Sequence, residues 1–325
     1  KKILITGGTG SLGKALAKKL LELDADIVRI FSRNENNQTT MESEFDDDRL
    51  RYFIGDVRDL PRLIKAMEDV DIVYHAAALK HVPVVEYNPF EAIKTNVLGS
   101  QNVIDACLHE NIETVVCVGT DKAVSPLNTY GATKLLMEKL FVTASNYTNR
   151  ERHKTKFIAI RYGNVLGSSG SVVPTLLKQI ESGRNITITD PNMTRFNITM
   201  NQALDFIIRS SKKGNGGEVF IPKLKAYSLG ILKEAILEVL EKDVKTELIS
   251  VRPGEKYHES LISSEEIRNT FEDKDDYVIL EDSLQNNIKT KKSTLTNQYS
   301  SDVVECLTKK ELKKILIEEK LVSTK

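Results

Sequence analysis

At 325 residues the chain is long enough to bury one large α/β core, or a domain and a half. Forty-six basic residues balance 46 acidic ones, so no global field exists to hold nucleic acid or an anionic membrane, and phosphate recognition has to be local. Three scattered cysteines (Cys107, Cys117, Cys306) lack metal-ligand spacing and fit a reducing, cytoplasmic setting, and no apolar run approaches the roughly 18 residues of a membrane span.

No signal peptide is visible. The chain begins at Lys1, directly before a strand and without a methionine, which leaves room for a short leader. Ile3–Thr6 reads as a strand, Leu12–Leu23 as a helix, Asp26–Ser32 and Arg51–Ile54 as strands, Leu60–Met67 as a helix and Asp71–Ala76 as a strand. A helix around Pro89–Glu110, a strand at Thr114–Gly119, a helix from about Thr129 to Ala144 and a strand at Lys156–Tyr162 follow. Strands separated by helices of this length predict a doubly wound parallel α/β sheet with right-handed crossovers. Gly163–Gly170 reads as a loop, and Thr199 with Gln202 as a capping box opening a helix that runs to about Lys212. Gly214–Gly217 reads as a turn, Glu218–Ile221 as a strand and Leu229–Glu241 as a helix. The polar tail from about Ser263 reads as a peripheral helix-and-loop region. The expected division is a first domain of residues 1–165 plus about 197–222, and a smaller substrate domain of about 166–196 plus 223–325.

Between the first strand and the first helix stand Gly7, Thr9, Gly10, Ser11, Leu12 and Gly13, a G-x-x-G-x-x-G turn. Glycines there let backbone N–H groups close on a pyrophosphate at a helix N-terminus, so a dinucleotide cofactor is predicted. The second strand ends in Ser32-Arg33, where an NAD site usually carries an acid; a guanidinium suits a 2′-phosphate, hence NADP. Asp56, next to Val57 after the third strand, stands where an adenine amino group could be met, or is a plain turn aspartate. Thr120, Asp121 and Lys122 follow the strand Thr114–Gly119, at the end of the sheet where ligands bind. Tyr130 and Lys134 are four apart on a helix and share a face, and a lysine beside a phenol, with a nicotinamide ribose, lowers its pKa for base work.

Thr6–Gly13, Thr120 and Tyr130-x-x-x-Lys134 together resemble the extended short-chain dehydrogenase/reductase superfamily, with its Rossmann-type fold. Within it, the segments 54–59, 75–83, Thr120-Asp121-Lys122-Ala123, Arg161–Val165, 170–174, 193–196 and Arg252-Pro253-Gly254-Glu255-Lys256 are similar to the inverting UDP-N-acetylglucosamine 4,6-dehydratases. The resemblance implies that Tyr130 takes the proton of the sugar 4-hydroxyl as carbon 4 gives hydride to NADP. Lys122 then acts as base at carbon 5, Asp121 as the acid that expels the 6-hydroxyl as water, and hydride returns to carbon 6. It also implies substrate contacts from Lys80, Asn164, Val172, Arg195, Arg252 and Glu255, the two arginines clamping a diphosphate. Cofactor contacts are implied for Ala77 and Lys80 besides the glycine turn. An ion pair between domains is the other reading of the arginines. His75 is expected to be buried and hydrogen-bonded, Phe196 and Tyr257 to pack, and Asn96 either to bridge backbone near the site or to be an ordinary helical asparagine. No metal site is expected. The expected partner is a small-molecule nucleotide sugar, bound by a homo-oligomer with no nucleic-acid or membrane partner.

Relatives that keep Met in place of Tyr130 bear N-terminal membrane helices, so Tyr130 favours the short, soluble branch. A UDP-N-acetylhexosamine 4-epimerase would share Tyr130 and Lys134 and stop before elimination, which leaves Asp121-Lys122 unexplained. A non-catalytic NADP-binding protein would typically lose the tyrosine or the lysine.

Overall fold

A computed structural model describes residues 1–147, 153–168, 170–280 and 290–322. Ser169, in the expected Gly163–Gly170 loop, lies outside the described residues. The first half runs β1 (Lys2–Thr6), α1 (Ser11–Glu22), β2 (Ile27–Ser32), α2 (Glu35–Phe45), β3 (Leu50–Ile54), α3 (Leu60–Met67), β4 (Ile72–His75), α4 (Val82–Tyr87), α5 (Pro89–Ala92), α6 (Gly99–His109), β5 (Thr114–Val118), α7 (Thr129–Tyr147) and β6 (Lys156–Ile160). Local signals account for these. Helix α1 buries Gly13, Leu16, Ala17, Leu20 and Leu21 along one stripe. The Asp59 side chain accepts from the Arg62 N–H (3.0 Å) at the start of α3. Residues Ile93–Leu98, between α5 and α6, form a π-helical stretch.

The second half runs β7 (Asn164–Val165), α8 (Val172–Glu181), β8 (Ile186–Ile188), β9 (Thr194–Ile198), α9 (Met200–Lys213), β10 (Val219–Pro222), β11 (Ala226–Ser228), α10 (Leu229–Val239), β12 (Thr246–Leu248), β13 (Ser260–Ile262), β14 (Thr270–Glu272), β15 (Asp276–Ile279), β16 (Lys291–Lys292), β17 (Tyr299–Ser300) and α11 (Lys309–Glu318). Thr199 and Gln202 form the capping box that opens α9.

The central sheet has the order β16-β14-β15-β10-β6-β5-β4-β1-β2-β3, and the seven strands from β10 to β3 pair in parallel. One face packs on α3, α6 and α7 through Leu63, Met67, Ile104 and Phe141; the other packs on α1 and α9 through Leu16, Leu20, Leu204 and Ile207. The strand order reverses between β1 and β4, and in a sheet of this kind the crevice for ligands opens there, at the carboxyl ends.

The doubly wound expectation holds with two corrections. Strands β14, β15 and β16 extend the sheet beyond β10 in antiparallel register, so the tail is not wholly peripheral. Those segments belong with the first domain, not with the second as the expected division has it. A separate core of Leu176, Ile180, Leu232, Ile236, Leu312 and Leu316 holds α8, α10 and α11 together as the smaller unit. Arg161, fully buried, joins the halves: its guanidinium donates to Glu138 of α7 (2.6 Å) and to Glu266 (2.7 and 2.9 Å).

Candidate active site

A cleft of about 440 Å³ opens over the carboxyl ends of the parallel strands. Its floor is the turn after β1, where Gly7, Thr9, Gly10, Ser11, Leu12 and Gly13 all line the space. Gly7 has φ +69, and a Cβ on it would stand 2.9 Å from the backbone of Ala77, which also lines the cleft. Gly10 precedes α1 with no side-chain cap, so the first-turn N–H groups face the cleft without an intrahelical partner. This cradle fits the pyrophosphate of a dinucleotide.

At the end of β2, Ser32 and Arg33 line the same cleft with Asn34 and Asn37. The buried Gln38 amide donates to Ser32 Oγ (3.0 Å), Ser32 O and Phe53 O, which fixes this corner. Arg33 is half exposed, 3.9 Å from Asp56. The Asp56 carboxylate is turned instead to Arg58, which donates from Nε (3.0 Å) and Nη2 (2.7 Å). Burial opposes its charge, but Arg58 outweighs that and holds its pKa below the ordinary value. Asp56 is therefore engaged in a turn, the plainer of its two readings, while Val57 lines the cleft.

Thr120, Tyr130, Lys134, Lys80 and Asn164 line the other end of the cleft. Thr120 Oγ1 donates to Asp121 Oδ1 (3.0 Å), and Asp121 is wholly buried with Oδ2 lacking a hydrogen-bond partner. Lys122 Nζ donates to Asp121 Oδ1 (3.1 Å) and to Asn164 Oδ1 (3.0 Å). Burial opposes the Lys122 charge, but Asp121 and Glu259 outweigh it and raise its pKa. The resting side chain is an ammonium.

Burial raises the Tyr130 phenol, while Lys122 and a hydrogen bond with Thr120 pull it back. Lys134, four residues on, lines the same cleft as Tyr130. Lys134 Nζ donates to Val118 O (2.6 Å) and is buried, and burial lowers its pKa to about 8.

On the substrate side, Arg195 is buried on β9: its Nη1 donates to Thr194 O (2.7 Å) and Tyr257 O (3.0 Å), and its Nη2 to Glu255 Oε1 (3.4 Å). Arg195 and Glu255 both fall in the expected smaller domain, so this contact is not the ion pair between domains. Arg252 is exposed, and its backbone N–H donates to Glu255 Oε2 (3.3 Å). Val172 is the first residue of α8. Tyr257 packs edge-on against His258 yet remains exposed, whereas Phe196 is buried against Tyr299. His75 is buried as expected. It accepts at Nδ1 from Thr6 Oγ1 (2.7 Å) and donates from Nε2 to Ser100 Oγ (3.0 Å), a tautomer inferred from Ser100 donating to Asn96 O. Burial, then Lys134, lowers its pKa to about 3.

Asn96 takes the first of its two readings and bridges backbone, while Asn128 and Gly131 escaped the sequence reading. Asn96, in the π-helical stretch, accepts from Leu79 N–H (2.8 Å) and donates to Leu79 O and Thr133 Oγ1, so it bridges the loop carrying Lys80 to α7. Asn128 Oδ1 accepts from the Gly131 N–H (2.8 Å) at the start of α7, while its amide donates to Gly254 O (2.8 Å). A Cβ on Gly131 would stand 2.1 Å from Lys122 O, so only glycine lets the helix bearing Tyr130 lie on the Asp121–Ala123 turn. Among the described residues no metal-holding cluster is present.

Residues 3–281 match the model of a family described as polysaccharide biosynthesis protein. The chain belongs to that family. It is 48% identical over 86% of its length to an inverting UDP-N-acetylglucosamine 4,6-dehydratase of Campylobacter jejuni, 82% of which is covered. It is 39% identical over 98% of its length to a UDP-glucose 4-epimerase of Rickettsia massiliae, 95% covered. An uncharacterized membrane protein of Methanocaldococcus jannaschii is 43% identical, with 98% of this chain and 96% of that one covered. Among the described residues here no helix is long and apolar enough to cross a membrane. The crystal structure of Pen from Bacillus thuringiensis superposes with a TM-score of 0.92 at 40% identity, covering 99% of this chain and 98% of that one. The resemblance to the extended short-chain dehydrogenase/reductase superfamily is thereby met, and the family member is an enzyme.

Proposed function

We propose that the chain is a nucleotide-sugar 4,6-dehydratase that takes UDP-N-acetylglucosamine, uses NADP and inverts carbon 5. The observation that carries this is the Asp121–Lys122 pair: a wholly buried carboxylate 3.1 Å from an ammonium that is itself bonded to cleft-lining Asn164. Oxidation at carbon 4 alone needs no such pair, whereas elimination across carbons 5 and 6 needs both an acid and a base.

The Gly7–Gly13 turn, Ser32, Arg33 and Lys134 would hold the cofactor, which when bound supplies a hydride acceptor for carbon 4 and a donor for carbon 6. Tyr130 would first release its own phenolic proton to solvent and then, as the phenolate, take the 4-hydroxyl proton, with Thr120 as its hydrogen-bond partner. Lys122 rests protonated, so it can serve as base only after losing a proton. Asp121 Oδ1 is in place to take it, and one transfer leaves a neutral amine and a neutral carboxyl, the base and the acid of an elimination. The 2′-phosphate preference rests on Arg33 at the end of β2.

The Rickettsia relatives favour a 4-epimerase as the second reading, since that reaction would use Tyr130 and Lys134 without elimination. Lys122→Ala separates the two. A dehydratase loses water elimination by roughly two orders of magnitude or more, while substrate-dependent reduction of the cofactor survives. An epimerase keeps its turnover.

A further inference from the structure

A second buried carboxylate reaches Lys122 from the other half of the chain. Glu259 precedes β13, and its backbone N–H donates to Ser301 Oγ (3.0 Å) while its carbonyl accepts from Ser301 N–H (2.8 Å), next to the β13–β17 pairing. Its side chain is 3% exposed, with Oε1 3.5 Å from Lys122 Nζ and 4.0 Å from Arg195 Nε. Oε2 has no hydrogen-bond partner. Such a carboxylate, buried beside cations without full hydrogen bonding, is costly to keep unless its charge is used. No motif marks it: Glu259 lies just past the Arg252–Lys256 segment.

We propose that Glu259 is a positioning residue that acts through Lys122, holding its ammonium as a second carboxylate beside Asp121 and setting how readily that amine gives up and regains a proton during elimination. This rests on the dehydratase reading. The charged and titratable groups that face Lys122 are Asp121 on its own turn, Tyr130 on α7, Arg195 on β9, Tyr227 on β11, Lys256 in the 252–256 loop and Glu259. Asp121 and Glu259 favour the ammonium; Arg195 and Lys256 oppose it. As carbon 5 loses its proton to the Lys122 amine, the C–H pair moves toward carbon 6, the 6-hydroxyl leaves with the Asp121 proton as water, and Lys122 ends as an ammonium facing the Glu259 carboxylate. Glu259 itself exchanges no atom.

The test is the pH profile of carbon-5 deuterium incorporation from heavy water, measured on the NADP-loaded full chain with UDP-N-acetylglucosamine. Glu259→Gln keeps the shape and removes the charge, so the rising limb should move to lower pH by about one unit or more, as expected when an opposite charge within about 4–6 Å is lost. Glu259→Asp, with the charge drawn back, should move it in the same direction by less. A limb unmoved in both, with wild-type dehydration intact, overturns the proposal. Should Glu259→Gln fail to fold, as read by thermal unfolding, the Glu259→Asp limb alone decides: moved supports, unmoved overturns. A wild-type protein that neither exchanges nor dehydrates removes the dehydratase reading, and this proposal with it.

Discussion

Gly131→Ala tests whether the fold itself sets the spacing of the candidate catalytic groups. The added Cβ would meet Lys122 O at 2.1 Å and Pro126 Cβ at 3.0 Å, where ordinary contact begins near 3.4 Å. Relief therefore requires α7 and the Asp121–Ala123 turn to part by about 3.4 − 2.1, or 1.3 Å. Two terms compete in stability: alanine in a helix interior gains about 1 kcal/mol over glycine, and overpacking a close contact costs about 1–3 kcal/mol. The balance predicts a loss of about 1 kcal/mol in urea denaturation. Turnover should suffer more, since displacing a catalytic group by about 1 Å can cost about 100-fold. The assay is dehydration of UDP-N-acetylglucosamine at saturating substrate, run beside the unfolding curves. Wild-type turnover in a folded Gly131→Ala protein would refute the claim that this contact holds Tyr130 against Lys122.

Lys134 has a folded pKa of about 8 against an ordinary 10.5, lowered by burial. The unfolded chain binds the extra proton between those values, so stability should rise with pH through that window, by about 2.5 × 1.36 or about 3 kcal/mol, and be lost as pH falls to 8. Lys134→Met should lack that slope in urea unfolding measured from pH 7.5 to 10.5; parallel curves for the two proteins contradict the burial argument. Arg33→Ala should weaken NADP binding by about tenfold or more, the worth of one charge-assisted contact, and leave NAD binding unchanged in calorimetric titrations. Equal losses for both cofactors would place Arg33 outside the 2′-phosphate site.

Much of the first half was legible because its physics is local. Helix α3 has the bounds its apolar spacing predicts, and the capping box at Thr199 is formed as read. Helix α2 was missed because it buries only Gln38 and Met41, too few for a periodic stripe; α4 was missed because its Val-Pro-Val-Val start reads as extended. Strands β14 and β15 are short and flanked by Asp273 and Asp275, so they read as surface, yet the Asp273 carboxylate accepts from the Asp275 and Asp276 N–H groups and closes their hairpin. In the site, Thr120, Tyr130 and Lys134 line one cleft, whereas Asp121 and Lys122 are not on its lining and reach it through Thr120 and Asn164. Spacing could not tell that Lys134 would turn to Val118 O, that Arg195 would donate to Tyr257 O, or that Glu259 would arrive from far along the chain. Those are long-range contacts, and a linear pattern carries no record of them.

The central claim is that Asp121 and Lys122 convert oxidation at carbon 4 into loss of water. It is tested most directly by NMR of UDP-N-acetylglucosamine turned over in heavy water. The expected product is a 6-deoxy-4-keto sugar carrying deuterium at carbon 5 with inverted configuration. A 4-epimer with carbon 6 intact and no deuterium at carbon 5 would contradict it.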